Sequence, residues 1–282
     1  MRSIDFEVMP SFDGITAEKY LVGEKKFSRR MITRLRQTEN GILRNGEKIR
    51  TVDVLRAGDI LTVNMVDEKY LEENGDLNIP IVYEDDDVVV FNKPFGVPVH
   101  PSILHYNDTL GNYFAYLYKE LSFRPVNRLD RDTSGLCVAA KNSYAAAQLA
   151  NGVEKVYFAV VGGDVADEGV IDAPIARESD TIIRRCVSES GQRAVTRYKT
   201  LQRKNGVSLV RVTLETGRTH QIRVHFSHIG NALAGDELYG GDCREISRHA
   251  LHCGEVSFVS PVTKQRVSVT AEIPQDMLAL LK

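Results

Sequence analysis

From Ile79 onward the sequence is built of short β-prone runs separated by turns and brief helical stretches: "KVYFAVVGG", "AVTRYKTLQ", "VSLVRVTLET", "LHCGEVSFVS" and "QRVSVTAEI". Helical patterns are scattered among them rather than alternating regularly. "DTLGNYFAYLYKEL" reads as a helix capped by Asp108, "SYAAAQLA" as a short one, and "GRTHQIRVHFSHIG" as one closed by Gly230. "PQDMLALLK" starts a last helix with proline in its first turn. No repeat period appears. Such a mixture predicts an α+β fold with a largely antiparallel mixed sheet. A length of 282 residues suits a main domain plus a smaller one, and 43% apolar residues suffice for a full core. No apolar run is long enough for a membrane span, and the N-terminus lacks a signal-peptide core. Cys137, Cys186, Cys243 and Cys253 show no CxxC pairing, so reduced thiols in a cytoplasmic protein are expected.

The formal net charge is only -2, but the charge is unevenly spread. Residues Lys25 to Arg50 hold nine Lys/Arg against Glu39 and Glu47, and Thr181 to His225 hold ten against Glu189 and Glu215. Between these blocks, Asp67 to Asp87 carries nine acids against Lys69. Local basic surfaces decide attraction to a polyanion, so the two blocks suit contact with phosphates. The first block lies in a unit of its own, residues 1–66. There "SRRMITRLRQ" places Met31, Ile32 and Leu35 at helical spacing behind a Ser28 cap. Asn-Gly turns bracket the short strand in "ENGILRNGEKIR", and a turn at Ala57-Gly58-Asp59 leads into "ILTVNM". This arrangement resembles the S-four-type RNA-binding module. Residues 67–78 read as an acidic linker, and 79–282 as the main domain.

Chemistry concentrates in "VNRLDRDTSGLCVAAKN", Val126 to Asn142, where a dense charge run feeds an apolar strand. Alone, Arg-Leu-Asp-Arg-Asp in a loop is more often a salt-bridged turn than a catalytic site. "TSG" lacks the elbow of a serine hydrolase. Two further dense segments, "NKPFGVPVHPS" and "TGRTHQIRVH", share the chain with it. His220, His225 and His228 lack the spacing and carboxylate of a metal site, and no metal is expected. His249, His252, Cys243 and Cys253 could be read as a zinc site, but the alternation of "ALHCGEVSF" points to a strand whose cysteine faces the core. Asp85-Asp86-Asp87 precede a strand as a turn would.

"RLDRDTSG" resembles the pattern R-L-D-x-x-T-S-G of the RluA-type pseudouridine synthases. "YEDDDVVVFNKPFGVPVHP", "VEKVYFAVVGG" and "TGRTHQIRVHFSHIGNALAGDELYG" resemble that family's other segments in the same order. The resemblance implies the pseudouridine synthase fold with a central cleft, and isomerisation of uridine in RNA. It makes Asp130 the catalytic aspartate, Arg223 the arginine paired with it and Tyr157 the tyrosine stacked on the target base. Arg128 would fill the gap left by the flipped uridine. Arg218, His220, Thr133, Lys93 and Asn127 complete the expected substrate- or RNA-contacting set, with Lys93 either bracing the site or meeting RNA. Asn127 stands where the family usually has histidine, which removes a possible cation there. Asp132 falls on a free position and is expected to cap the turn through backbone N–H groups. The helix and connection in "SYAAAQLANGVEK" look short. No cofactor is expected, because isomerisation needs neither redox change nor acceptor. The expected partner is RNA, with ribosomal RNA favoured and transfer RNA open, acted on by a monomer. Two rival readings are a non-catalytic RNA-binding protein on the same scaffold and a carboxylate-dependent hydrolase.

Overall fold

The computed structural model describes residues 2–65, 71–102, 105–179 and 183–282. The N-terminal unit begins with strand β1 (Arg2–Glu7), followed by helix α1 (Ala17–Lys19), which runs into a π turn at Tyr20–Glu24. Helix α2 (Arg29–Gln37) starts where Ser28 Oγ accepts a hydrogen bond from Met31 N at 3.2 Å. It buries Ile32 and Leu35 against β2 (Ile42–Arg44) and β4 (Ile60–Met65), while β3 (Glu47–Lys48) is exposed. The four strands form one sheet in the order β1-β4-β2-β3. Asn45 and Gly46 both have positive φ, which gives the tight β2–β3 turn its twist.

This core is completed from outside the unit. Phe27 stacks on Tyr144 with ring centroids 4.6 Å apart, and Phe6 meets the same ring edge-on at 6.0 Å. Tyr144 is buried there together with Leu21 and Val63.

The second half of the expected linker is also fastened down. Asn112 Nδ2 donates to Glu72 O, Asn74 N donates to Asn112 O, and Asn74 Nδ2 donates to Asn107 O. Residues 66–70 lie outside the described residues.

The main domain opens with β5 (Ile81–Glu84) and β6 (Val88–Lys93). Between them Asp85 Oδ1 accepts the N–H groups of Asp87 and Val88, so the acidic run is a turn. Val88 to Phe91 are fully buried, since β6 is covered on both faces. Helix α3 (Leu110–Leu117) is capped by Thr109 and not by Asp108. Thr109 and Asn112 form a reciprocal capping box, while Asp108 pairs with His105 at 2.6 Å.

Strand β7 (Ser134–Ala140) follows the charged loop and leads to α4 (Ser143–Leu149). Only residues 150–153 then connect to β8 (Glu154–Gly162). Next come β9 (Glu168–Asp172), the hairpin of β10 (Ile175–Arg177) and β11 (Arg185–Val187), and the long pair β12 (Val195–Lys204) and β13 (Val207–Leu214). Helix α5 (Gln221–His228), strands β14 (Leu251–Val259) and β15 (Arg266–Thr270), and helix α6 (Gln275–Ala279) complete the chain. Pro274 is the cap of α6 and precedes its first turn.

The main sheet runs β5-β6-β7-β14-β8-β13-β12-β9, with β15 also pairing β14. Among the described residues β7 and β14 are its one parallel pair, so it is a mixed, largely antiparallel sheet, as the sequence predicts. At their crossing Gly135 pairs with Cys253 at φ +112°, and a Cβ there would collide with the Cys253 backbone. A side chain would push β7, and the charged loop entering it, away from the sheet.

Candidate active site

The loop Asn127–Thr133 is held by groups that point inward. Asn127 spends its amide on β7: Nδ2 donates to Leu136 O at 3.1 Å, and Oδ1 accepts from Val138 N at 2.7 Å. Lys93 is fully buried, and its ammonium donates to Pro94 O, Val97 O and Arg131 O. Burial pushes its pKa down to about 8. Thr133, 2% exposed, bonds His249 Nε2 through its hydroxyl at 2.7 Å. Arg248 is clamped by the Asp276 carboxylate and reaches Asp132 O. These bonds make Lys93 a brace of the loop, while Asn127 and Thr133, bonded inward, also border the spaces around Asp130. A loop that must hold one carboxylate still uses its neighbours' polar groups for internal bonds. Asp132 likewise takes the Arg131 guanidinium on its carboxylate rather than backbone N–H groups.

What the loop presents is Asp130. The sharp turn before α5 puts His220 at φ 59°, in the left-handed region, and aims Arg223 back at the loop. Arg223 Nη1 donates to Asp130 Oδ2 at 3.3 Å. Its Nε and Nη2 donate to Asp236 at 2.7 and 2.8 Å, a bidentate grip on a carboxylate 1% exposed. Burial alone would lower the arginine's pKa, but Asp236 and then Asp130 outweigh it, and the net shift is upward. His220 Nε2 lies 3.9 Å from Asp130 Oδ2, while its Nδ1 meets the Tyr239 hydroxyl at 2.8 Å. Burial pushes the His220 pKa down. The Tyr239 ring lies 4.9 Å from the Arg223 guanidinium. Asp236 and Tyr239 fall inside "AGDELYG", where nothing local in the sequence marks a role for either.

Tyr157 stands on β8 opposite Val212 and Cys253. It is nearly buried, and burial, then Cys253 and Asp130, raise its phenol pKa well above the usual value. Asp130, Tyr157, Arg128 and His220 all line a recess of about 70 Å³, and all four also line a groove of about 1130 Å³. Arg128 and Arg218 are exposed on that groove. The structure thus brings together Asp130, Arg223, Tyr157, Arg128, Arg218 and His220.

Among the described residues no group of three or more His, Cys, Asp or Glu is placed to hold a metal ion. His225 is buried between Thr196 Oγ1 and Ala173 O, and Cys253 faces the core. No described helix is long and apolar enough to cross a membrane.

His249 behind the loop carries a pH dependence. Its burial and then Arg223 push its pKa down to about 4, against about 6.5 in an unfolded chain. Below pH 6.5 the unfolded chain binds a proton that the folded one does not, so stability falls as pH drops toward 4. At pH 5 the expected loss from this imidazole is about 2 kcal/mol relative to pH 7. Urea titrations should show that loss in the wild type and a smaller one in His249→Gln. Equal losses would exclude His249 as the source.

A shallow recess with one fixed carboxylate, opening onto a basic groove, suits a base swung out of a polymer. Residues 87–228 match the family described as RNA pseudouridylate synthase. A Bacillus subtilis (strain 168) protein described as the uncharacterized RNA pseudouridine synthase YjbO is 40% identical over 95% of this chain and 99% of its own length. A Pseudomonas aeruginosa protein named ribosomal large subunit pseudouridine synthase D is 37% identical over 84% of this chain and 82% of its own. The solved structure of human RNA pseudouridylate synthase domain containing 1 superposes with a TM-score of 0.62 at 28% identity, covering 74% of this chain and 90% of that one. The chain belongs to the RNA pseudouridylate synthase family. It is an RNA pseudouridine synthase, an isomerase that converts uridine in RNA to pseudouridine.

Proposed function

We propose that the substrate is large-subunit ribosomal RNA, that Asp130 carries the reaction, and that no cofactor takes part. The observation behind the assignment is the Asp130 carboxylate standing in the recess between Tyr157 and the Arg223–Asp236 pair. The C1′–N1 glycosidic bond breaks, the base turns, and a C1′–C5 bond forms. C5 loses its proton and N1 gains one, so atoms balance without an electron carrier. Arg223 holds the carboxylate in place, and Asp236 holds Arg223. Tyr157 offers a ring face for the base. Arg128 is exposed at the recess with no hydrogen-bond partner among the described residues, which supports a role in filling the space the base leaves. Base extrusion costs on the order of a few kcal/mol, which such stacking partly offsets.

The ribosomal substrate is supported by the name of the Pseudomonas aeruginosa relative, and it would place the enzyme in the cytoplasm. The N-terminal unit fits the same reading as an RNA-binding module, with Arg29, Lys48 and Arg50 exposed on it. We take the working form to be a monomer.

The test is tritium release from RNA labelled at uridine C5, with unmodified ribosomal and transfer RNA offered separately. Release from ribosomal RNA alone supports the proposal, and release from transfer RNA alone overturns the substrate. Added EDTA should leave the initial rate within about twofold once RNA folding is held constant by a monovalent salt. A loss of about tenfold or more would bring a metal into the chemistry.

A further inference from the structure

Beside the active site lies a second cleft, of about 390 Å³, between the β10–β11 hairpin and the turn before α5. Its lining includes Arg177, Arg185, Gln192, Arg218 and Thr219 and, among the described residues, no carboxylate. The arginines around it are neutralised. Arg184 pairs with Glu178, and Arg193 and Arg197 share Glu215. Those lining it have no carboxylate partner among the described residues. Among the described residues Arg177 has no ion pair or side-chain hydrogen bond. Arg185 Nε is buried without a hydrogen-bond partner. A buried donor left unmade is costly, and it marks where an acceptor belongs. Arg218 is held at the cleft by its bond to Arg193 O at 3.0 Å, in the segment that leads into β12.

Two features tie this cleft to the reaction. Arg218 lines it, the recess holding Asp130, and the large groove, so the three spaces meet at one guanidinium. The Tyr239 hydroxyl accepts the Arg185 backbone N–H at 2.9 Å and bonds His220 Nδ1 at 2.8 Å, while its ring supports Arg223. The hairpin is thus fixed to the residues that hold Asp130. A polyanion lying in the groove with one base in the recess would continue past Arg218 into ground that carries unpaired positive charge.

We propose that this cleft is a phosphate site, taking a backbone phosphodiester of the RNA close to the target nucleotide through Arg177, Arg185 and Arg218. The inference rests on the RNA substrate and adds where the strand is gripped. Arginine suits the role because its planar fork meets two phosphate oxygens at once.

The experiment uses the full chain with Arg177→Gln, Arg185→Gln and, as a control, Arg197→Gln, whose guanidinium is paired outside the cleft. RNA affinity is measured across a salt series, together with kcat and KM for tritium release. Each cleft variant should weaken binding several-fold and reduce the slope of log K against log salt by about 0.7 to 0.9. KM should rise by more than kcat falls, while the control leaves the slope as it was. Arg177 is exposed, so its replacement keeps the test valid should Arg185→Gln fail to fold. Unchanged affinity and slope in Arg177→Gln, with wild type active, overturns the phosphate site alone. A wild type that isomerises neither RNA overturns the function reading instead. In a parallel arm inorganic phosphate is titrated as competitor. If the cleft variants lose phosphate binding but keep wild-type RNA affinity, the cleft holds a free anion and the proposal fails.

Discussion

Asp130→Asn is expected to lower isomerisation by at least about 10³-fold while leaving the fold and RNA affinity intact. The substitution is isosteric, and the amide oxygen still accepts from Arg223 Nη1, which sits 3.3 Å away. The negative charge is what goes, and among the described residues no second carboxylate lines the recess to replace it. Asp132→Asn is the matched control. Its carboxylate serves an exposed pair with Arg131, and such pairs contribute between nothing and about 1 kcal/mol. Tritium release under single-turnover conditions separates the two. Turnover by Asp130→Asn within about tenfold of wild type would remove Asp130 from the chemistry.

Asp236→Ala is expected to destabilise the protein by about 3–5 kcal/mol, because it strands a buried guanidinium that now has a bidentate partner. The same change frees Arg223 from its fixed angle toward Asp130, so activity should fall even in molecules that remain folded. Urea unfolding measures the first effect and single-turnover rates well below the unfolding midpoint the second. A stability loss under about 1 kcal/mol would mean that Arg223 finds another partner. Asp236→Asn should be milder in stability, since its amide oxygen can still accept one of the two bonds.

The elements that announce themselves in sequence are those whose reason is local. Ser28 caps α2 three residues before the amide it binds, and Val88 to Phe91 form an apolar run because β6 has no solvent face. Strand β1 alternates Ile4 and Phe6 with Asp5 and Glu7, too short a pattern to mark a strand from sequence. Asp130 is a different case. Its charge run reads as a solvated turn until the whole RLDRDTSG pattern is matched to a family. Asp236 left no local signal, because its partner Arg223 is 13 residues away across a helix and a turn. Which of its two expected roles Lys93 takes is equally hidden from local sequence. Lysine is rarely buried, and only three backbone carbonyls converging from distant segments make it so here. The β10–β11 hairpin escaped notice because its strands are only three residues each, too short for a periodic pattern.

Helix α4 gives Tyr144 to the N-terminal core and Leu149 to the core of the main domain. Its seven residues make a stiff rod about 10 Å long. Leu149, at the far end, also forms part of the groove wall. The N-terminal unit is therefore not a weight on a string. One short helix thus ends in the N-terminal core on one side and in the wall of the groove on the other, so the two share a single structural member.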